Sequence, residues 1–388
     1  MKAYVYQYLT DQYGPVPFEE ALEGESEGNY SPAYTSQPDI YSGLITMLTE
    51  ASDSIQTGGT ALSEGDLIYG GEMAKWKKFA NALKMRVAMR MSDQRPNEAA
   101  TAINEAINAG TFTGNDDNAE VPFGSPPYQN PIFENYNSGR DDWAAPQAMT
   151  SIMNDTQDPR RPAYFTDGNP ETSAHDANGF PYGLPQDDAQ PLFTDQDANF
   201  SRPSMRVRQP DFPAILMLYD EVAFIKAEAK LRTDMSVPAI TQSADQLYKN
   251  AITGSMNYWG VTDQTTIDDF YQRIDTPGSG SFDIEQDLAV QKWLAQYLQG
   301  IQAWSTWRRT DFQGVLQVPP GNPGGSAFGK QIAVRMAYPP DESTLNGENL
   351  NAAITNMLGG SGVSGTEADD QGVLLWWDTE YKPTNPDL

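Results

Sequence analysis

The stretch K-W-K-K-F-A-N-A-L-K-M-R-V-A-M-R-M-S, residues 75–92, carries the clearest structural signal in the chain. Its apolar residues recur every three or four positions, which places them on one face of an α-helix. We predict a helix from about Glu72 to Met91, with an apolar face made of Trp76, Phe79, Ala80, Leu83 and Val87. Seven of the 25 Lys and Arg residues lie between Lys75 and Arg95. We expect these cations to pair with acids on neighbouring helices; a solvated basic face and an anion or lipid site are the alternatives.

Similar apolar spacings elsewhere predict a mostly α fold. The further predicted helices cover residues 39–55, 97–109, 146–153, 214–232, 238–259, 265–274, 283–307 and 348–358. Paired helices of about 15 to 20 residues are typical of antiparallel hairpins that stack like tetratricopeptide units. The periodicity therefore predicts tetratricopeptide-like helix pairs, although the sequence shows no clean 34-residue repeat.

The segments between these helix pairs have a different composition. Residues 111–212 and 311–388 are rich in Gly, Pro, Asn and Asp, with aromatic side chains scattered among them. A loop-rich stretch this long is usually functional or disordered, and the aromatic residues favour order. We therefore predict one domain spanning residues 1–388. Its helical scaffold (1–110 and 213–310) carries a large irregular, loop-rich region packed on the scaffold.

The composition excludes several classes of function. The 388 residues include 53 acids, 25 Lys plus Arg, one histidine and no cysteine, for a net charge of −28. Disulfides, thiolate nucleophiles and multi-histidine metal sites are excluded, and so negative a chain repels nucleic acid. The sequence also lacks the run of about 20 apolar residues that a membrane-spanning helix needs.

No catalytic constellation can be recognised, so we predict that the protein is not an enzyme. Adjacent acids such as Asp141-Asp142 occur at several places along the chain. A glycosidase needs two carboxylates about 5 to 9.5 Å apart across one cleft, and sequence cannot select such a pair here. A carboxylate-dependent glycosidase and a helical scaffold that binds peptide or protein are the alternatives to a ligand-binding protein.

The aromatic residues are the most functional-looking feature. Rings of Trp and Tyr stack on the apolar faces of sugars, and nearby Asn, Asp and Gln side chains then supply hydrogen bonds to hydroxyls. The candidates for ligand binding are Tyr136, Trp143, Trp259, Trp376 and Trp377. The alternative is that these rings fill the interfaces between loops and helices.

We expect no organic cofactor, and one segment suggests calcium. Asp195, Asp197 and Asn199 present side-chain oxygens at alternate positions. An EF-hand loop is excluded, because Phe200 stands where such a loop needs glycine and Arg206 where it needs glutamate. These three residues are therefore the candidate ligands of an irregular calcium site, and plain polar turns are the alternative.

Residues 75–92 are one of several motifs that stand in order along the chain. The others are L-T-D-Q-Y-G-P-V-P-F-E-E-A-L (9–22), P-D-I-Y (38–41), N-D-T-Q-D-P-R-R-P-A-Y-F (154–165), Y-D-E-V-A-F-I-K-A-E-A (219–229), Q-K-W-L-A (291–295), A-W-S-T-W-R-R-T (303–310), Y-P-P-D-E (338–342), N-x-x-N (346–349) and W-W-D (376–378). Together they resemble the SusD/RagB family, the SusD-like outer-membrane nutrient-binding lipoproteins of Bacteroidetes. Each motif alone is unspecific, and their collinear order makes the resemblance specific.

The resemblance implies a surface-exposed outer-membrane lipoprotein that caps a SusC-like TonB-dependent transporter. Such a protein holds a nutrient, glycan or peptide, for import and does not catalyse a reaction. Family members begin with a signal peptide, a lipobox cysteine and further helices, so the resemblance places the lipid anchor on an N-terminal segment absent from this chain. Some ligand residues of the family lie in that segment, and the ligand differs between members. The resemblance therefore transfers no binding residue to this sequence.

Overall fold

The computed structural model describes residues 1–58, 64–166, 176–194, 199–312, 314–316, 332–358 and 371–379. Within these residues the fold is mostly α, as predicted. The helices are α1 Lys2–Tyr13, α2 Gln37–Ser54, α3 Met73–Arg90, α4 Pro96–Ala109, α5 Pro131–Asn137, α6 Gln147–Asp155, α7 Arg161–Tyr164, α8 Gln186–Thr194, α9 Tyr219–Leu231, α10 Ala244–Tyr258, α11 Gln264–Tyr271, α12 Ala289–Ala295, α13 Gly300–Thr310, α14 Glu342–Leu345 and α15 Gly347–Leu358.

Two short antiparallel strand pairs accompany the helices. Strand β1 (Val16–Pro17) pairs with β2 (Tyr34–Thr35), and β3 (Ala119–Val121) pairs with β4 (Ala214–Met217). The second pair has an irregular register at its β3 end. It joins the start of the irregular region to the chain that enters α9.

The scaffold consists of helices that pack on their sequence neighbours. Helix α3 lies against both α2 and α4, α10 lies against α9, and α3 also contacts α9. Every residue of α3 from Phe79 to Arg90 is buried. Helix α3 is therefore the central element of the scaffold, which confirms the prediction of tetratricopeptide-like helix pairs.

The buried apolar side chains form two main clusters. The larger lies among the scaffold helices and includes Leu44, Leu83 and Phe224. The second surrounds Trp259 and Trp307 and joins the end of the scaffold to the irregular region. The irregular region thus packs against the scaffold through an aromatic cluster to which both contribute side chains.

Four of the six cations of α3 pair with acids from other parts of the chain, as expected for this basic helix. The Arg86 guanidinium lies 2.6 Å from the Glu221 carboxylate on α9, and both side chains are 2% exposed. Three more cations pair in the same way: Lys78 with Asp117 at 2.7 Å, Lys84 with Glu105 at 2.6 Å and Arg90 with Asp11 at 3.2 Å.

Two predicted helices are wrong in part. Residues 214–217 form strand β4, and helix α9 begins only at Tyr219, whose N–H donates to the Asn118 side chain at 2.7 Å. The predicted helix 283–307 is interrupted after Ala295 and resumes at Gly300, because Leu298 adopts a left-handed backbone with φ of +66°. Its first turn, Ile284–Leu288, is a π-helix.

Other differences concern helix ends and short helices. Helix α10 begins after Ser243, whose hydroxyl accepts the Gln246 N–H at 3.2 Å, and not at Pro238. Helices α1 and α14 were not predicted. In residues 111–212 only the helix found as α6 was predicted, whereas α5, α7 and α8 also form there.

The ion pair between α3 and α9 generates a stability prediction. We expect Arg86→Ala to lower the free energy of unfolding by about 3 to 5 kcal/mol, because it leaves the Glu221 charge buried without a partner. The double variant Arg86→Met/Glu221→Leu should recover most of the loss. Urea unfolding measures both.

The matched control for this measurement is Lys75→Ala. Lys75 pairs with Glu72 at 3.5 Å on the surface of the same helix region, with both side chains partly exposed. Its loss should cost less than about 1 kcal/mol. Equal losses for Arg86→Ala and Lys75→Ala would contradict the role given to the buried pair.

A second prediction concerns the pH dependence of folding. Asp220 is 1% exposed and its Oδ2 has no hydrogen-bond partner among the described residues. Burial, with a contribution from the neighbouring Glu221 charge, raises the pKa of Asp220 to about 7. An unfolded carboxyl has a pKa of about 3.9. Between about pH 4 and 7, Asp220 therefore keeps its proton in the folded state and releases it in the unfolded chain.

This difference in pKa sets how the free energy of unfolding changes with pH. The contribution of Asp220 to stability is complete below about pH 4 and is lost as the pH rises to about 7, with an amplitude of up to about 4 kcal/mol. Asp220→Asn should flatten the dependence of unfolding free energy on pH between about 5 and 7.5. Glu228 does not contribute to this pH dependence. Burial acts to raise its pKa, but the Arg309 charge and other nearby cations lower the pKa to about 2, so Glu228 stays ionised over this range. An unchanged slope in Asp220→Asn would show that this carboxyl is ionised in the fold.

Candidate functional site

A surface groove of about 480 Å³ lies in the irregular region, between α8 and the segment that leads into α6. We call it the aromatic groove. Asp141, Asp142, Ala144 and Pro146 line it from the segment before α6, Phe180 and Tyr182 line it from the segment before α8, and α8 itself supplies the rest. The side chains from α8 are Gln186, Ala189, Gln190 and Phe193. The groove therefore brings aromatic, amide and carboxylate groups to one space.

Backbone hydrogen bonds hold the segment around Phe180 against the segment that leads into α6. The Phe180 N–H donates to the Ala145 carbonyl at 2.7 Å, and the Gln147 N–H donates to the Phe180 carbonyl at 3.0 Å. Gly179 allows this close approach, because a Cβ there would lie 2.1 Å from the Thr150 Oγ1 and 2.4 Å from the Gln147 Cα. The tight backbone contact fixes where the Phe180 ring lies.

Aromatic contacts attach α8 to the rest of the groove. The Phe193 ring meets the Phe180 ring edge to face at 5.5 Å, and Phe180 meets Phe200 in the same way at 4.9 Å. The Arg202 guanidinium lies over the Phe193 ring at 4.5 Å. Since α8 has no buried residue of its own, these contacts decide its position.

The two carboxylates of the groove are paired with arginines. Arg202 Nε donates to both oxygens of Asp141, at 2.8 and 3.0 Å. Asp142 accepts a hydrogen bond from the Asn135 amide at 2.7 Å and pairs with Arg140 at 2.5 Å. The Asn135 bond, followed by the Arg140 contact, holds the pKa of Asp142 below its usual range. Asp142 is therefore ionised at neutral pH.

Two of the sequence-predicted aromatic residues adjoin this groove. Trp143 follows Asp142 in the chain and is 48% exposed. The Tyr136 hydroxyl donates to the Trp143 carbonyl at 3.1 Å, and the Arg208 guanidinium lies 3.8 Å from the Tyr136 ring centroid. Burial is the main cause that raises the pKa of Tyr136 to about 12. The structure thus brings Tyr136 and Trp143 together beside the groove residue Asp142, although neither of the two rings lines the groove.

The other three candidate residues, all tryptophans, lie away from the groove, and two of them are buried. Trp259 is 2% exposed inside the second apolar cluster, with the Tyr164 ring at 4.6 Å. Trp377 is fully buried beside the guanidinium groups of Arg90 and Arg308. Neither ring has a free face for a ligand, so both are packing residues.

Trp376 is half-buried on the scaffold. Its ring lies 5.7 Å from the Tyr41 ring and its backbone N–H donates to the Gln37 side chain at 2.8 Å. The Gln94 side chain donates to its carbonyl at 2.7 Å. Trp376 therefore attaches the C-terminal segment to the α2–α3 surface and does not belong to the aromatic groove.

The calcium prediction falls partly outside the described residues. Asp195 and Asp197 lie there, whereas Asn199 is described, is exposed and has a φ of +42°. Within the described ranges no three His, Cys, Asp or Glu side chains are grouped so that they could hold a metal ion. The calcium site stays a prediction.

Sequence reasoning missed how the groove is assembled. Phe180, Tyr182 and Phe193 are recognisable in the sequence only as loop aromatics. The one available signal was the spacing of Ala189 and Phe193, four residues apart, which puts both on one face of a helix. Pro191 obscures this signal because proline normally interrupts a helix.

In the described part of the chain, no helix combines the length and apolarity that crossing a membrane requires.

Solved structures similar to this chain share its fold. A SusD homologue from Bacteroides uniformis is 24% identical, with a TM-score of 0.81 over 97% of this chain and 81% of its own. A chitin-binding protein is 26% identical, with a TM-score of 0.80 over 98% of this chain and 79% of its own. A chitin-binding SusD homologue from Flavobacterium johnsoniae is 24% identical, with a TM-score of 0.78 over 98% and 81%. No curated protein sequence is detectably similar.

A family model agrees with these structures. The SusD-like model described as "Starch-binding associating with outer membrane" matches residues 1–339. The match includes the aromatic groove and the whole helical scaffold through α13. This chain therefore belongs to the SusD-like family of starch-binding, outer-membrane-associated proteins.

Proposed function

We propose that this protein binds a glycan in the aromatic groove at the cell surface and delivers it to a SusC-like TonB-dependent transporter. The observation that carries the proposal is the composition of the groove, in which aromatic rings and hydrogen-bonding side chains line one cavity of about 480 Å³. A sugar ring needs both, because its C–H faces are apolar and its hydroxyls are polar. Pockets of this volume suit a few sugar rings.

The lining residues divide these tasks. Tyr182, 39% exposed, offers a ring on which a sugar can stack. Gln186 and Gln190, one helical turn apart on α8, offer amide donors and acceptors for hydroxyls. Asp142 offers carboxylate oxygens that accept from hydroxyls. Trp143, beside the groove, extends the surface available for stacking.

The relatives support a glycan as the ligand. Two of the similar structures are described as chitin-binding, and the family is described as starch-binding. The same description associates the family with the outer membrane. For this chain we propose a position at the cell surface, held there by a lipid anchor.

The ionisation of the groove argues against hydrolysis. A glycosidase needs one carboxyl whose pKa is raised so that it can protonate the leaving group. Asp142 has a lowered pKa and is held by Arg140 and Asn135. Asp141 is paired with Arg202. Asp142 is therefore suited to accept hydrogen bonds and not to donate a proton.

The binding proposal predicts the effect of removing rings from the groove. Tyr182→Ala and Trp143→Ala should each weaken binding of a recognised glycan by about 1 to 3 kcal/mol, as for other lost stacking contacts. Affinity electrophoresis against a panel of polysaccharides identifies the ligand, and calorimetry measures the loss.

The control for these variants is Tyr30→Ala, since Tyr30 is 80% exposed and lies outside the groove. Unchanged affinity in both groove variants would place the ligand elsewhere on the chain. Release of reducing ends from any polysaccharide at more than about 1 s⁻¹ would instead favour an enzyme.

The delivery proposal predicts a durable complex. The lipidated full-length protein should recover a TonB-dependent transporter from an outer-membrane extract. The recovery should fall as salt rises, because a chain with a net charge of −28 favours a basic partner surface. Recovery of soluble partners alone, or a cytosolic location of the protein, would contradict both the partner and the location.

A further inference from the structure

The charges around the aromatic groove define which glycans it accepts. Resting on the proposed function, we infer that the groove selects neutral and amine-bearing glycans and rejects anionic ones, such as uronates and sulfated sugars. The inference stands on three features of the groove: which charged groups line it, where their counter-ions lie, and which charges surround it.

Carboxylates, and not guanidinium groups, face the ligand space. Asp141 and Asp142 both line the groove, with side chains 51% and 41% exposed. Among the described residues no lysine or arginine lines it. A ligand therefore meets two anionic acceptors and no cationic donor.

The arginines that pair with these carboxylates are held away from the ligand space. Arg202 is 18% exposed. Its Nε is bound to Asp141, its Nη1 donates to the Phe200 carbonyl at 2.7 Å, and its plane covers the Phe193 ring. Arg140 contacts Asp142 from the solvent side and is itself 69% exposed. An anionic sugar in the groove would have to displace Asp141 to reach the Arg202 guanidinium, and the exposed Arg140 does not line the groove.

Two exposed carboxylates on α8 add further negative charge beside the groove. Helix α8 carries Asp187 and Asp188 in its first turn, directly after the groove residue Gln186, and both are exposed. The remaining polar groups from α8 in the groove are the neutral amides of Gln186 and Gln190. The whole chain, at −28, strengthens the same negative field.

The chemistry of the ligand follows from these charges. Hydroxyls and ammonium groups donate to carboxylates, and an ammonium does so with the added strength of opposite charge. The carboxylate of a uronate or a sulfate group brings only acceptors and a negative charge towards Asp141 and Asp142, and like charges repel. An amine on the sugar should therefore raise affinity, and a carboxylate should abolish it.

Three forms of one oligosaccharide test the inference on the full chain. The probes are the neutral hexamer of N-acetylglucosamine, its de-N-acetylated cationic form, and its carboxymethylated anionic form. Calorimetry at about pH 5.5 keeps the amines protonated and Asp142 ionised. We expect the cationic hexamer to bind at least about fivefold more tightly than the neutral one, and this advantage to shrink as salt is added. The anionic hexamer should show no measurable binding.

Two variants assign this selectivity to the groove. Asp142→Asn should lower the ratio of cationic to neutral affinity towards one, and Asp142→Lys should allow the anionic hexamer to bind. The matched control is Asp53→Asn, which removes an exposed carboxylate from α2 and should leave the ratio unchanged.

The outcomes separate this inference from the proposed function. Binding of the neutral hexamer with equal or tighter binding of the anionic form would overturn the charge selectivity and leave glycan binding intact. An unchanged affinity ratio in both Asp142 variants would also overturn it. Failure of all three hexamers to bind would overturn the inference, whereas glycan binding in the groove is tested separately by the polysaccharide panel and the Tyr182→Ala variant.

Discussion

Charge compensation inside the scaffold is the constraint on which the rest of the structure depends. Acids outnumber cations by 53 to 25, and the central helix α3 buries several of those scarce cations. Arg86 joins α3 to Glu221 on α9, and Arg90 joins it to Asp11 on α1. A buried ion pair adds little net stability over apolar packing, but a buried charge without its partner is very costly. The helices can therefore associate only in the arrangement that brings these partners together.

This constraint explains why much of the fold could be predicted. The apolar spacing and cation density of residues 75–92 are local properties, and both identified α3 and its need for acidic neighbours. The errors have non-local causes. The segment 214–217 has a helical apolar spacing, yet it pairs with β3. Leu298 interrupts a long stretch of helical apolar spacing because its backbone has a positive φ, which the residue pattern does not indicate.

The candidate site was harder to predict for the same reason. Exposure decides whether a tryptophan can stack on a sugar, and exposure depends on the whole fold. Trp143 and Trp259 look equivalent in the sequence, but one is at the surface and the other is enclosed by Tyr164 and Phe212. The groove itself depends on backbone contacts at Gly179 and on a short helix containing Pro191.

The attachment of α8 has a consequence for how this protein can diverge. Helix α8 has no buried residue and is attached mainly through Phe193, so most of its side chains contribute little to folding. Substitutions at positions such as Gln186 and Gln190 can therefore accumulate, and alter the proposed glycan site, without destabilising the scaffold. Gly179 and the ion pairs of α3 lack this freedom. The residues that can change the chemistry of the groove are therefore different from the residues that hold the fold together.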